Sequence, residues 1–212
     1  MKYYKAGNDM RHMEKIKQYY ESNNIEGYPD YYILGWESEE AQKLRFKQLI
    51  GDIDLNDKAI LDVGCGTGNL LEYIESCFTG FNYSGIDVLP HMIKRASEKK
   101  LHGQFSCIDI FKYNPYSSKS FDVLFSSGIF NLNLRNNKEF LRDAINLFLK
   151  LARETVAFNL LWDKSEDKDT KYFYFSPEEV YLDLNNRYYK SWNILIQKGY
   201  LKNDFTVHMN RK

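Results

Sequence analysis

From residue 59 onward, short apolar runs alternate with stretches whose apolar residues recur at helical spacing. This is the pattern of a parallel sheet with helices on both faces. "AILDVG" opens the series as a strand, and the stretch after it carries Leu70, Leu71, Ile74 and Phe78 on one stripe. "FNYSGID" (81–87) predicts a second strand, followed by a helix with Met92, Ile93 and Ala96 inward. "GQFSCID" (103–109) and "FDVLFSS" (121–127) predict the third and fourth strands, with the turn-rich "KYNPYSSKS" between them. Phe140, Leu141, Ala144, Ile145 and Phe148 define a strong helix that leads into "ETVAFNLLW" (154–162). In "SPEE" (176–179) Ser176 can cap a helix, Pro177 suits its first position and Glu179 completes a capping box. The last two strands, "SWNILIQ" and "DFTVHMN", are joined only by "KGYLKN". That connection is too short for a parallel crossover, so this pair is antiparallel.

The residues before the first strand differ in character. "KIKQYYE" and "SEEAQKLRFKQLIGDI" read as helices, the second with Ser38 as N-cap and Phe46, Leu49 and Ile50 inward, around an aromatic, turn-rich "EGYPDYYILGW". Residues 1–55 are too short for a core of their own and are read as a helical cap on a single domain, 56–212.

Composition narrows the partners. The 212 residues are 43% hydrophobic, enough for a real core, and 29 basic residues balance 29 acidic ones. A broad basic surface for nucleic acid is therefore not expected. No stretch approaches a membrane span and the N-terminus has no apolar signal region, so a cytoplasmic protein is expected. Cys65, Cys77 and Cys107 form no CxxC pair, and the scattered histidines lack metal-ligand spacing, so no metal is expected.

Candidate chemistry concentrates in Gly64-Cys65-Gly66-Thr67-Gly68. Glycines between a strand and a helix permit positive φ and let a ligand approach bare backbone. The spacing is GxGxG, with Asn69 where the dinucleotide fingerprint has its third glycine. Asp62 lies inside the preceding strand, and Asp87, ending the second, can accept both hydrogen bonds of a ribose diol.

At these residues the chain resembles the class I S-adenosylmethionine-dependent methyltransferases. "ILDVGCGTG" is similar to that family's first motif and "GIDVLPHMIKRA" to its second, and the likeness covers residues 58–162. "GWESEEAQKLRF", "SSGIFNL" and "DFTVHMNRK" resemble a bacterial subgroup whose acceptors are generally unassigned. The resemblance implies a doubly wound, Rossmann-like sheet of seven strands, mostly parallel with an antiparallel last strand. It also implies roles around S-adenosylmethionine. Gly64 and Gly66 would meet its methionine end, with Asp62 near the amino group and Cys65 and Gly68 completing the loop. Asp87 would take the ribose hydroxyls and Val88 would lie on the adenine. Asp109 would accept from the exocyclic amine, Ile110 would offer its amide to a ring nitrogen, and Ser126 would face the methionine moiety. Leu89 and Asn131 depart from the family, the latter standing where many relatives carry histidine.

Arg45 is a further candidate, either for the cofactor carboxylate or as a solvated helix residue. Phe130, Asn131, Trp162 and Tyr172 are the candidates for lining an acceptor pocket at the carboxyl edge of the sheet, with ordinary packing as the alternative for each aromatic. Asp163 and Glu166 could add a carboxylate or belong to a solvated loop. No catalytic base is named by the sequence. The fourth strand ends in "SSGI" with no NPPY-like sequence, and no Pro-Cys pair is present, which favours methylation of an oxygen or nitrogen on a small molecule over a nucleic-acid base. Three alternatives stay open: an RNA or protein acceptor, a non-catalytic cofactor-binding subunit, and a nicotinamide oxidoreductase, which Asn69 and Asp109 argue against.

Overall fold

Among the described residues seven strands form one sheet: β1 (Ala59–Val63), β2 (Asn82–Asp87), β3 (Gly103–Cys107), β4 (Phe121–Ser126), β5 (Ala152–Leu161), β6 (Trp192–Lys198) and β7 (Asp204–Arg211). Their spatial order is β3-β2-β1-β4-β5-β7-β6. Pairings from β3 through β5 are parallel, and β7 runs antiparallel to both β5 and β6. The computed structural model describes residues 6–23 and 27–212, so 1–5 and 24–26 of the expected cap lie outside the described residues.

The helices are α1 (Ala6–Asn23), α2 (Asp30–Ile33), α3 (Glu39–Ile50), α4 (Asn69–Glu75), α5 (Pro90–Glu98), α6 (Asn137–Leu151) and α7 (Pro177–Tyr188). The chain divides into two compact units, 1–42 and 43–212, and the division falls inside α3. In the smaller unit Ser38 caps α3 as expected, its Oγ accepting from the Ala41 amide at 3.0 Å. The Tyr28 and Tyr32 rings lie 4.7 Å apart there.

The larger unit is organised by strand alternation, which sends neighbouring side chains to opposite faces. From β1, Ile60 joins Phe46, Leu49 and Ile50 of α3 and Leu70, Leu71 and Ile74 of α4. Leu61 and Val63 join Leu141, Ile145 and Phe148 of α6 and Val180 and Leu184 of α7 on the other face. His208 of β7 helps seat α3, with its Nε2 3.0 Å from the Leu49 carbonyl oxygen, and burial pulls its pKa down. The capping box of α7 forms, with the Glu179 amide donating to Ser176 Oγ at 3.3 Å.

Two strand boundaries differ from the sequence reading by two residues. The third strand ends at Cys107, so Asp109 lies in a turn rather than in the sheet. α6 runs into β5 without a loop, so β5 begins at Ala152, two residues earlier than the apolar run suggests.

Candidate functional site

Strand order reverses beside β1, whose neighbours are β2 and β4. Open α/β sheets bind ligands at the carboxyl ends of the strands at such a switch point. The glycine loop leaves β1 there, and Gly64, Gly66 and Gly68 take φ of +79°, +54° and +81°. At Gly64 glycine is doubly required, because a Cβ would lie 2.2 Å from Ile129 Cγ2. The Gly64 and Cys65 amides both donate to the Ile86 carbonyl, at 2.8 and 3.0 Å. The turn closes with the Gly68 amide on the Cys65 carbonyl at 3.0 Å.

Asp87 sits directly against this loop. Its Oδ2 accepts from the Gly66 amide at 3.0 Å and its Oδ1 from the Leu89 amide at 2.9 Å. Burial raises the Asp87 pKa, and the Leu89, Gly66 and Val88 amides oppose that rise. The Leu89 that departs from the family thus still contributes a backbone donor that orients this carboxylate. Two residues inside β1 from the loop, Asp62 is 2% exposed and accepts from the Tyr83 hydroxyl at 2.5 Å. Desolvation is the main cause that lifts its pKa to about 7; the Tyr83 bond works against it and the nearby Asp87 adds to it. Tyr83 escaped the sequence reading. The parallel register pairs Asp62 with Gly85, which sets Tyr83 two residues back on the same face.

The remaining cofactor candidates fall on the next strand ends. Val88 is half-buried beyond β2. The Ile108 amide donates to the Asp87 carbonyl at 2.9 Å, carrying the chain from β3 past the site. Asp109 folds its own turn, with Oδ1 accepting from the Phe111 and Lys112 amides at 3.2 and 3.3 Å. The Ile110 side chain is buried in the core of the α6/α7 face. Ser126 is fully buried, and its hydroxyl donates to the Val63 carbonyl at 2.9 Å, tying β4 to β1.

Two candidates are held by partners within the fold. Arg45 is not solvated: its Nε donates to Asp204 Oδ2 at 2.8 Å, its Nη2 makes a second, shorter bond to the same oxygen, and both residues are buried. Phe130 is 1% exposed and packs in the core on the Phe140 and Phe158 rings at 5.4 and 5.8 Å.

Asn131, Trp162 and Tyr172 are brought into one layer by the segment 172–175. The Phe173 amide donates to the Asn131 carbonyl at 2.8 Å and Leu132 bridges Tyr172. The Phe175 amide reaches the Leu161 carbonyl at 2.8 Å, and Trp162 bridges Phe175. Asn131 Oδ1, Trp162 Nε1 and Asp163 Oδ1 are buried and have no hydrogen-bond partner among the described residues, whereas Glu166 is exposed. A polar chain across β5 and β7 was also invisible in sequence. Ser127 Oγ donates to Asn159 Oδ1 at 2.8 Å, Asn159 Nδ2 donates to Thr206 Oγ1 at 2.9 Å, and Tyr200 Oη lies 2.8 Å from that same oxygen. Among the described residues no cluster of side chains could hold a metal ion, and no helix is long and apolar enough to cross a membrane.

Residues 60–150 match the methyltransferase domain family. The chain is 29% identical over 159 residues to "Putative methyltransferase Rv1506c" of Mycobacterium tuberculosis, covering 70% of this chain and 90% of that protein. It is 37% identical over 94 residues to malonyl-[acyl-carrier protein] O-methyltransferase 2 of Ilyobacter polytropus, covering 43% of this chain and 35% of that relative's length. The fold is similar to that of the magnesium protoporphyrin IX methyltransferase of Synechocystis PCC 6803 solved with bound S-adenosylmethionine, with a TM-score of 0.62 at 13% identity over 100% of both chains. Residues 60–150 thus resemble a methyltransferase domain, set on a Rossmann-like sheet similar in fold to one solved with S-adenosylmethionine.

Proposed function

We propose that this protein transfers the methyl group of S-adenosylmethionine to an oxygen or nitrogen of a small-molecule acceptor. The observation that carries the cofactor half is the Asp87 carboxylate held against the glycine loop by the Gly66 and Leu89 amides. A carboxylate offers about four lone-pair positions, so two remain to accept from the ribose hydroxyls. Gly64, Cys65, Gly66 and Gly68 surround the methionine end in this reading, and Asp62 faces its ammonium group. Val88 lies on the adenine, while Asp109 and the Ile110 amide read its edge. Ser126 contributes as the clamp between β4 and β1. Domain 56–212 carries this machinery, with residues 1–55 as a helical cap.

The sulfonium of the cofactor supplies an electrophilic methyl group, so this chain's residues have to orient the acceptor and exclude water. Asn131, Trp162 and Tyr172 are the acceptor-side residues. The buried, unpartnered Asn131 Oδ1 suits an acceptor that presents an N–H or O–H. Balanced charge and the "SSGI" end of β4 support a small molecule, as does the O-methyltransferase name of the Ilyobacter relative.

Isothermal titration with S-adenosylmethionine and S-adenosylhomocysteine, followed by a labelled-methyl screen against metabolites, tRNA and protein, tests this. Micromolar binding and label in metabolites is expected. Label confined to tRNA or protein would overturn the acceptor class.

A further inference from the structure

The turn that follows β4 is tied down on both sides of Ile129. Upstream, Ser126 Oγ donates to the Val63 carbonyl at 2.9 Å and Ser127 Oγ to Asn159 Oδ1 at 2.8 Å. Downstream, the Asn131 amide donates to the Gly128 carbonyl at 3.2 Å, and Nδ2 of buried Asn137 donates to the Phe130 carbonyl at 3.3 Å. Gly128 turns the chain with a φ of +95°. Held in this way, Ile129 lays its Cγ2 methyl against Gly64, 2.2 Å from where a Cβ would stand. A side chain branched at Cβ is stiff about χ1, so this methyl is a fixed wall. Behind it, Ile129 packs on the core of the α6/α7 face, a close-packed interior into which the wall cannot retreat. Ile129 and Gly64 are each only half-buried, so a ligand can reach the seam between them.

We infer that Ile129 sets the size of the alkyl group this protein accepts on the sulfonium of its cofactor, admitting methyl and excluding ethyl. In the reading above, on which this rests, Gly64 meets the methionine end of S-adenosylmethionine and Asn131 belongs to the acceptor side. Ile129 touches the first and stands two residues from the second. The group handed from donor to acceptor has to pass between those two, beside the Ile129 methyl. A methyl is the smallest alkyl group that can be carried there. One further methylene against an apolar wall that cannot yield forces strain, which costs about 10- to 200-fold in affinity.

Isothermal titration of the full chain with S-adenosylmethionine, S-adenosyl-L-ethionine and S-adenosylhomocysteine tests this without an acceptor. The wild type is expected to bind the ethyl compound about 10-fold or more weakly than the methyl one. Ile129→Ala removes the wall and should bring the ethyl compound to within about 3-fold of the methyl one. Its affinity for S-adenosylhomocysteine, which carries no such group, should stay in place, whereas a merely structural loss would lower all three alike. Ile129→Val keeps the branch at Cβ and should keep the discrimination. If circular dichroism shows that Ile129→Ala does not fold, Ile129→Leu decides, because it keeps the volume, moves the branch to Cγ and should close the gap as well. Equal wild-type affinity for the methyl and ethyl compounds would overturn the inference. So would a gap that survives in the folded variant. Folded wild type that binds none of the three compounds overturns the cofactor reading itself, and this inference with it.

Discussion

The Tyr83 hydroxyl donates to the Asp62 carboxyl at 2.5 Å, within a sheet face where neither side chain reaches solvent. The bond spans adjacent parallel strands and fixes an acid one residue short of the last residue of β1. In the unfolded chain Asp62 titrates near 3.8, and in the folded protein near 7. Between these values the folded state binds the extra proton, so stability falls as pH rises through that window and levels off above it. Asp62→Asn keeps an acceptor for Tyr83 and removes the ionisation, so it should be stabilising at pH 8 by a few kcal/mol, with an upper bound of about 4 from the shift. The gain should be smaller at pH 5. Urea denaturation of both proteins at the two pH values measures it, and an equal difference at both would refute the assignment.

Tyr83→Phe removes the donor and leaves the acid buried without it. A cost of about 1–3 kcal/mol is expected at pH 8, with the Asp62 pKa moving further up. A carbon-detected NMR titration of the Asp62 carboxyl reads that movement directly.

Asp87→Ala takes away both the acceptor proposed for the ribose hydroxyls and the anchor of the Gly66 and Leu89 amides. S-adenosylmethionine affinity should drop by about 1.5–3 kcal/mol, roughly 10- to 150-fold. Calorimetry that shows unchanged affinity in folded protein would remove Asp87 from the site.

Gly64→Ala meets two obstacles, a φ of +79° and the Ile129 methyl. Loss of about 2 kcal/mol or more is expected. Adding Ile129→Ala should recover only part of it, because the backbone strain persists. Thermal melts of the single and double variants separate the two contributions.

The Arg45–Asp204 pair can be tested for a structural as against a ligand-binding role. Arg45→Met leaves a buried carboxylate, and breaking such a pair costs about 3–5 kcal/mol. Arg45→Met combined with Asp204→Asn should be less destabilised than the single variant. Both should bind S-adenosylmethionine as the wild type does wherever they remain folded.

These residues also show what the sequence could and could not disclose. Strand sequence, the reversed β7 and the caps at Ser38 and Ser176 were legible because each depends on residues close together in the chain. The glycine loop and Asp87 were legible for the same reason, being one strand-helix-strand unit apart. Arg45 was not, since its partner is 159 positions away and nothing local announces it. The packing of Phe130 beneath α6 was not legible either, because a strand end looks the same whichever way its next side chain turns. Asp109 was placed in a strand by its apolar neighbours, whereas its carboxyl stabilises a turn by bonding two following amides, a local competition that aspartate often wins.

The segment from residue 163 to 175 is anchored by backbone bonds at Asp163 and Phe175 near one end and at Asn131 and Asn133 near the other, while Lys164 and residues 166–171 between them are exposed. Length and composition of that tip can therefore drift through mutation without loosening either anchor. In the function proposed above, selection for a new acceptor could act on it and leave the glycine loop and Asp87 untouched. Divergence of substrate choice in such a chain would be concentrated in a stretch that contributes little to its foldedness.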